Sequence, residues 1–219
     1  MILFAPGAGT RSSHPVMVRW AGLLGTLPDG PCQTFDYPYA LAGRGRPDAH
    51  DVLVSAHAEA LDRVRTPDRV ILAGRSMGGR IGCHVSLVRP VDALVAFSYP
   101  LLAMSGGSKG RAGAAPKEAP ARAAVLRALA TPILFISGDR DPLAPLPALE
   151  AVRAQMSAPT RLVVVRGGDH SLSVRVRELA GRTAEGIERA LLAQVAEFLA
   201  HTVTGRLDSS GSDALPRVV

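Results

Sequence analysis

The sequence predicts a single α/β domain built on a parallel sheet with helices on both faces. Short apolar segments of strand length alternate with longer segments of helical periodicity along the chain of 219 residues. Parallel strands need a crossover connection, and right-handed crossovers place helices on the two faces of the sheet. This length is enough for one well-buried core. The alternation therefore favours a helix–sheet–helix arrangement over an all-α or all-β fold.

Six short apolar runs bounded by turn-forming residues predict the strands. They are Ile2–Ala5, Gln33–Tyr37, Val70–Ala73, Ala93–Phe97, Ile133–Ser137 and Leu162–Val165. Since each is followed by a helix candidate, we expect a minimal sheet of about six parallel strands.

Six segments with helical spacing of apolar residues predict the helices. They are Pro15–Leu24, Asp51–Arg65, Met77–Val88, Ala121–Ala130, Leu146–Gln155 and Arg182–Thr202. Pro15 suits a first helical turn and Asp51 an N-terminal cap. Residues 1–204 are expected to form the domain, and the polar residues 205–219 a flexible tail. Residues 105–118 have the composition of a mobile surface loop. The region between the strand candidates that end at Phe97 and start at Ile133 holds about 35 residues and no second domain, so we expect no large cap over the sheet.

Charge and composition argue against several classes of partner. The net charge is +6, but the arginines are scattered, only two residues are lysines, and aromatic residues make up 4% of the chain. Nucleic-acid binding is therefore not expected, because both a basic stripe and a stacking platform are missing from the sequence. Residues 1–6 do not resemble a secretory leader, and no apolar run approaches membrane-spanning length. We expect no membrane partner and a cytoplasmic protein.

A strand-to-helix junction carries the strongest local motif. The Gly-x-Ser-x-Gly pentapeptide of residues 74–78 directly follows the strand candidate Val70–Ala73 and leads into the helix candidate that starts at Met77. This is the context of a nucleophile elbow, a sharp turn that exposes the Ser hydroxyl and needs small neighbours. Ser76 is the candidate nucleophile. The alternative is an ordinary surface Ser in a Gly-rich loop.

A Ser nucleophile needs a base and an acid that orients the base. Asp139 and Asp141 follow the fifth strand candidate, and His170 follows the sixth behind a Gly-Gly pair. Because parallel strands end at one edge of the sheet, the chain order Ser, Asp, His predicts a catalytic triad. Either Asp can serve at this stage. The other histidines lie in or near helix candidates and have structural explanations; they are His14, His50, His57, His84 and His201.

These motifs resemble the α/β-hydrolase superfamily over about the first 200 residues. Within it, the chain looks most like the small group related to the third subunit of the nonspecific lethal chromatin complex and its bacterial relatives. Dienelactone-hydrolase-like proteins are the broader neighbours, although those commonly use Cys where this chain has Ser76. The pieces that match are residues 74–80, Tyr99-Pro100-Leu101, residues 138–142 and Gly168-Asp169-His170. The resemblance implies an α/β-hydrolase fold and selects Asp141 over Asp139 as the orienting acid.

An acyl-transfer site also needs backbone N–H groups directed at the oxyanion. Met77 supplies one, and the loop after the first strand supplies the other, with Ala8 preferred and Gly7 second. Gly7 and Tyr99 are expected to line the substrate pocket. Arg75 and Arg80 flank the Ser in sequence and could pair an acidic substrate. In the simpler interpretation, Arg75 tethers a loop through a carboxylate and Arg80 lies on a helix face.

The sequence thus predicts a serine hydrolase that cleaves a small ester or thioester through an acyl-enzyme. It implies a small-molecule acyl substrate and no cofactor. Cys83-His84 is not joined by a second ligand pair at a recognisable spacing, so no metal site is expected. A homodimer is left open. The main alternative is a non-catalytic binding or scaffold protein with the same fold, and an acyltransferase or perhydrolase is a third option.

Overall fold

The structure, a computed structural model, describes residues 1–64, 69–103, 117–203 and 217–219. In chain order its elements are β1 (Ile2–Ala5), α1 (Pro15–Gly25), β2 (Cys32–Thr34), α2 (Pro38–Leu41), α3 (His50–Val64), β3 (Ile71–Arg75), α4 (Met77–Ser86), β4 (Ala93–Phe97), α5 (Pro120–Arg127), β5 (Ile133–Gly138), α6 (Leu146–Arg153), β6 (Thr160–Val165), a 3-10 turn (Val176–Glu178), α7 (Ala184–Val203) and β7 (Arg217–Val218).

The strands form one parallel sheet in the order β2-β1-β3-β4-β5-β6-β7. From β1 the chain first adds β2 on one side and then crosses to β3 on the other. The order of the strands therefore reverses between β1 and β3. In open α/β sheets a crevice forms at such a reversal, beyond the carboxyl ends of the strands. The loops that follow β1 and β3 meet at this point.

Two apolar layers enclose the sheet. On one face, α3, α4, α5 and α6 pack against strand side chains such as Leu72, Leu94 and Phe135. On the other face, α1 and α7 pack against the alternate side chains, including Phe4 and Phe97. The central strands are buried on both faces, which explains why their sequences are continuous apolar runs rather than alternating ones. This rigid sheet positions the loops at its carboxyl edge.

The predicted class, a parallel α/β sheet with helices on both faces, is confirmed, with one correction to the strand count. The sheet has seven strands rather than six, because Arg217–Val218 add to the edge of β6. Those residues belong to the stretch predicted to be a flexible tail, and most of that stretch lies outside the described residues. So does most of the predicted loop 105–118, of which Lys117 pairs with Ala103.

The second strand also differs from its prediction. Gln33–Tyr37 was expected, whereas the strand covers Cys32–Thr34. Tyr37 instead caps the short helix α2, whose first residue is Pro38. A proline restricts the residue before it to extended geometry and suits a first helical turn, so the chain leaves the sheet here. None of the helices in the described ranges is long and apolar enough to cross a membrane.

Candidate active site

Ser76 occupies a strained turn between β3 and α4. Its backbone has φ 48° and ψ −112°, a conformation that residues with side chains rarely adopt. The turn is tight because glycines surround it. A Cβ on Gly74 would collide with the backbone of Gly78 and Gly79, and a Cβ on Gly78 would collide with the carbonyl of Ala5. The predicted elbow geometry is therefore present, and it lifts the Ser hydroxyl to the sheet edge.

His170 reaches this hydroxyl from the loop after β6. Its Nε2 lies 2.9 Å from Ser76 Oγ. Gly167 has φ 75°, and the carbonyl of Gly168 lies so close to Gly138 that a Cβ there would collide with it. Asp169, the residue before His170, has a structural role in this loop. Its carboxylate accepts hydrogen bonds from the N–H groups of two later residues of the loop, at 2.8 and 3.0 Å, which fixes the turn that presents His170.

Asp141 completes the hydrogen-bonded chain. Its Oδ2 lies 2.8 Å from His170 Nδ1, and its Oδ1 accepts the N–H of Leu143 at 2.8 Å. The side chain has no solvent exposure. Asp139, the other candidate, points away, because its Oδ1 accepts the N–H of Gly167 at 2.8 Å. The structure thus brings together Ser76, His170 and Asp141, which are distant in sequence, and leaves Asp139 to hold the neighbouring loop.

The two residues predicted as oxyanion donors line the same cavity as Ser76. Met77 is the first residue of α4, so its N–H has no acceptor within the helix. Ala8 is exposed and lines the cavity in front of Ser76. Other N–H groups of its loop are occupied, since Gly9 donates to Tyr39 Oη at 3.1 Å and Thr10 to the Gly7 carbonyl at 3.2 Å. Ala8 and Met77 both line the cavity beside Ser76, where an oxyanion donor is required.

The two predicted pocket residues lie in different places. Gly7 lines the cavity, and a Cβ built on it would be 3.7 Å from Ser76 Cβ. Tyr99 lies in the core rather than on the cavity wall, and only 1% of its surface is exposed. Its hydroxyl donates to the carbonyl of Arg122 at 2.8 Å, and its ring packs edge-to-face on Phe135. The next residue, Pro100, lines the cavity instead.

The cavity in front of Ser76 has a volume of about 890 Å³. Small-molecule sites commonly fall in this range. Its lining includes Gly7, Ala8, Thr10, His14, Val16, Pro47, Asp48, His50, Leu53, Arg75, Ser76, Met77, Arg80, Pro100, Ala103, Arg122, Leu143, His170, Ser171 and Ser173. Arg75 donates to the carbonyl of Ser171 at 3.4 Å and is attracted by the carboxylate of Asp169, so it contacts the His170 loop.

Arg80 and Arg122 both line the cavity. The sequence analysis considered Arg80 as a partner for an acidic substrate, whereas it did not single out Arg122. Arg80 lies on α4, as expected, and its half-buried side chain forms part of the cavity wall. Burial lowers the pKa of both guanidinium groups below their ordinary value. Helical spacing explains its place, because Arg80 follows Ser76 by four residues, and residues at that spacing share one side of a helix. Arg122 lies on α5, far from Ser76 in the sequence. Its position at the cavity follows from how α5 packs in the folded domain, which no local sequence pattern indicates.

A strained Ser between a parallel strand and a helix, linked to a His and an Asp at the same sheet edge, defines the α/β-hydrolase class of fold. A family model described as "Alpha/beta hydrolase domain" matches residues 1–200. The chain therefore belongs to the alpha/beta hydrolase domain family.

Several solved structures share this fold. An alpha-beta serine hydrolase homologue from Coxiella burnetii is 22% identical with a TM-score of 0.63, over 89% of this chain and 84% of that chain. Est1E from Butyrivibrio proteoclasticus is 14% identical with a TM-score of 0.65, over 93% and 88%. The thioesterase RedJ of the prodiginine biosynthetic pathway in Streptomyces coelicolor is 18% identical with a TM-score of 0.61, over 90% and 84%. At these identities the likeness establishes the fold alone.

Proposed function

We propose that this protein is a serine hydrolase that cleaves a small carboxylic ester or thioester through an acyl-enzyme. The observation that carries the proposal is the continuous hydrogen-bonded chain from Ser76 Oγ through His170 to the buried carboxylate of Asp141, with distances of 2.9 and 2.8 Å. Such a chain supplies a nucleophile, a base and an orienting acid in contact. The neighbouring cavity has room for a small acyl substrate.

In the acylation step, Ser76 Oγ attacks the acyl carbonyl carbon while His170 Nε2 takes the hydroxyl proton. Asp141 accepts a hydrogen bond from His170 Nδ1, which keeps the imidazole in the tautomer whose Nε2 can receive that proton and stabilises the imidazolium. The tetrahedral intermediate collapses when His170 returns the proton to the leaving alcohol or thiol. The acyl group stays as an ester of Ser76.

The developing oxyanion is stabilised by the N–H groups of Met77 and Ala8. Each such donor typically contributes about 3 kcal/mol to the transition state, because it is already oriented before the charge appears. In deacylation a water attacks the acyl-enzyme carbonyl and gives its proton to His170 Nε2. His170 then protonates Ser76 Oγ as the acid product leaves, and the enzyme returns to its starting state.

These steps use the chain's own residues and call on no cofactor. Within the family we place the protein with the small group related to the third subunit of the nonspecific lethal complex, on the motifs at residues 74–80 and 138–142. A cytoplasmic location is part of the same proposal.

A fluorophosphonate probe and a series of p-nitrophenyl esters test the proposed function. Wild-type protein should form one covalent adduct at Ser76, located by peptide mass spectrometry, and should hydrolyse esters of short acyl chains. Ser76→Ala should lose the adduct, and kcat should fall by about 10⁴ or more, because the nucleophile is removed. Ser86→Ala, at the far end of the same helix, is the matched control and should keep both properties.

The alternative, a scaffold without catalysis, makes the opposite prediction. Folded wild-type protein would then remain unlabelled and would hydrolyse esters no faster than Ser76→Ala. That result, with native circular dichroism, would overturn the proposed function.

A further inference from the structure

The cavity in front of Ser76 has an excess of positive charge. Three guanidinium groups line it, those of Arg75, Arg80 and Arg122, against the single carboxylate of Asp48. Asp48 is already engaged, since its Oδ1 lies 2.7 Å from Arg44. Arg75 is attracted by the carboxylate of Asp169. The positive charge without a carboxylate partner among the described residues is therefore that of Arg80 and Arg122.

Arg80 is the least compensated of the three. Among the described residues, its hydrogen-bond partner is His50 Nδ1 at 3.3 Å, an acceptor without negative charge. Burial, together with repulsion from Arg80, lowers the pKa of His50, so the imidazole is neutral at physiological pH. An unpaired charge in a partly buried site carries a desolvation cost that an incoming anion would offset.

The acidic groups that interact electrostatically with Arg80 are also uncharged. They are the phenols of Tyr99 and Tyr37 and the thiol of Cys83. Burial raises the pKa of Tyr99 well above its ordinary value and that of Cys83 to about 12. No group of this set can act as a counter-ion near neutral pH.

Arg122 adds a second positive charge in the same part of the cavity. Its guanidinium donates to the backbone carbonyls of Pro100, at 3.0 Å, and of Leu102. Arg122 and Arg80 repel one another, and this repulsion contributes to the lowered pKa of Arg122. The carbonyls hold Arg122 in place without neutralising it. Two like charges on one cavity wall favour the binding of an anion there.

We propose that Arg80, with Arg122 beside it, binds an anionic group of the substrate, so that the enzyme prefers esters or thioesters whose acyl part carries a carboxylate or phosphate. This inference rests on the proposed function and names its substrate class. Arg80 is a specificity residue here and takes no part in the proton transfers.

The position of Arg80 sets where the anion lies relative to the reacting carbon. Its N–H donates to the Ser76 carbonyl at 3.0 Å, which places it one helical turn along α4. One turn advances about 5–6 Å, and the Arg side chain adds its own reach. The anion should therefore be separated from the attacked carbonyl by a short chain, as in a hemiester of a four- to six-carbon diacid.

A matched pair of esters tests this preference. The two substrates are p-nitrophenyl hydrogen glutarate and p-nitrophenyl pentanoate, which have equal acyl length. Wild-type kcat/KM should be higher for the glutarate ester by about tenfold or more, because its carboxylate can form a charge-assisted hydrogen bond. Arg80→Gln should reduce this ratio by about tenfold, and Arg80→Lys should reduce it less because the charge is kept. Arg89→Gln removes an equal charge from an exposed pair and should keep the wild-type ratio. An equal ratio in wild type and Arg80→Gln would overturn the inference.

A binding measurement separates this inference from the proposed function. Calorimetry on Ser76→Ala, with glutarate in one titration and inorganic phosphate in the other, should show binding of at least one anion, and the stronger binder identifies the group preferred. Binding should fall by about tenfold or more in the Ser76→Ala, Arg80→Gln double variant. If wild type hydrolyses neither ester but this anion binding persists, the proposed function fails and the anion site stands. If neither anion binds in an Arg80-dependent way, the anion site fails.

Discussion

At the scale of single residues, two carboxylates only two positions apart in one loop have different tasks. Asp141 is buried and lies 2.8 Å from His170 Nδ1, whereas Asp139 accepts the N–H of Gly167. Both follow β5, but the loop turns them in different directions. The contact of Asp141 with His170 sets the tautomer of the imidazole and stabilises its protonated form. The contact of Asp139 with Gly167 fixes only the path of the loop.

Replacing each Asp with Asn separates these tasks. Asp141→Asn should lower kcat by about 10³ to 10⁴, because the amide favours the wrong tautomer of His170 and does not stabilise the imidazolium. Asp139→Asn can still accept the Gly167 N–H and should lower kcat by less than about tenfold. Initial rates with a p-nitrophenyl ester, together with the thermal midpoint of each variant, make the comparison. Equal losses in both variants would count against Asp141 as the orienting acid.

The sequence located Ser76 and His170 because each follows a clear strand signal at a glycine-rich turn. The sequence did not decide whether Asp139 or Asp141 orients His170, and only the family resemblance selected Asp141. Tyr99 was expected at the pocket because it follows β4, but the direction of a side chain at a strand end depends on which neighbours cover it. Arg122 lines the cavity although it lies more than 40 residues after Ser76 in the sequence. No local pattern predicts such a position.

At the scale of elements, the junction of β3 and α4 depends on close backbone approach. Gly78 lies against the end of β1, since a Cβ there would collide with the Ala5 carbonyl. Glycine is needed at this position because the neighbouring atom belongs to the backbone of a central strand and cannot move aside. The contact also fixes Ser76 relative to the loop of Ala8.

Two Gly→Ala variants test this view. Gly78→Ala should destabilise the protein by about 3 kcal/mol or more, because relief of the collision requires movement of β1 or α4. Gly22 lies on the exposed side of α1, and a Cβ added there would have nothing within 4 Å. Gly22→Ala should therefore stabilise the protein by up to about 1 kcal/mol. Urea unfolding followed by circular dichroism measures both free energies. A Gly78→Ala variant as stable as wild type would refute the close-packing argument.

Strands were predicted well where they lie in the middle of the sheet and poorly at its edges. β4, β5 and β6 are buried on both faces, so their sequences carry a strong apolar signal. β7 has two residues, one of them Arg217, and its pairing depends on the exposed edge of β6 rather than on its own composition. At the opposite edge, the helix that starts at Pro38 shortens β2.

At the scale of the whole molecule, parallel strands gather groups from distant parts of the chain at one edge. The contact of Ser76 with His170 spans 94 residues, and that of His170 with Asp141 spans 29. The same packing buries polar groups that take no part in this site. His57 on α3 is fully buried, with Nδ1 3.1 Å from Tyr37 Oη. Its Nε2 has no hydrogen-bond partner among the described residues.

Buried His57 should make the stability of the fold depend on pH. Burial lowers the pKa of His57 to about 3, whereas an unfolded His titrates near 6.5. Between these values the unfolded chain binds a proton that the folded chain excludes, so the free energy of unfolding decreases as pH falls from 6.5 toward 3. At pH 5 the loss from this residue should be about 2 kcal/mol. Urea unfolding at pH 7.5 and 5.0 measures the loss.

Two variants serve as controls for this prediction. His57→Gln cannot take up this proton and should show a loss smaller by about that amount, whereas His14→Asn, at the exposed cap of α1, should behave as wild type. An equal loss in wild type and His57→Gln would contradict the assignment, because burial of a neutral imidazole would then not be the source of the acid sensitivity.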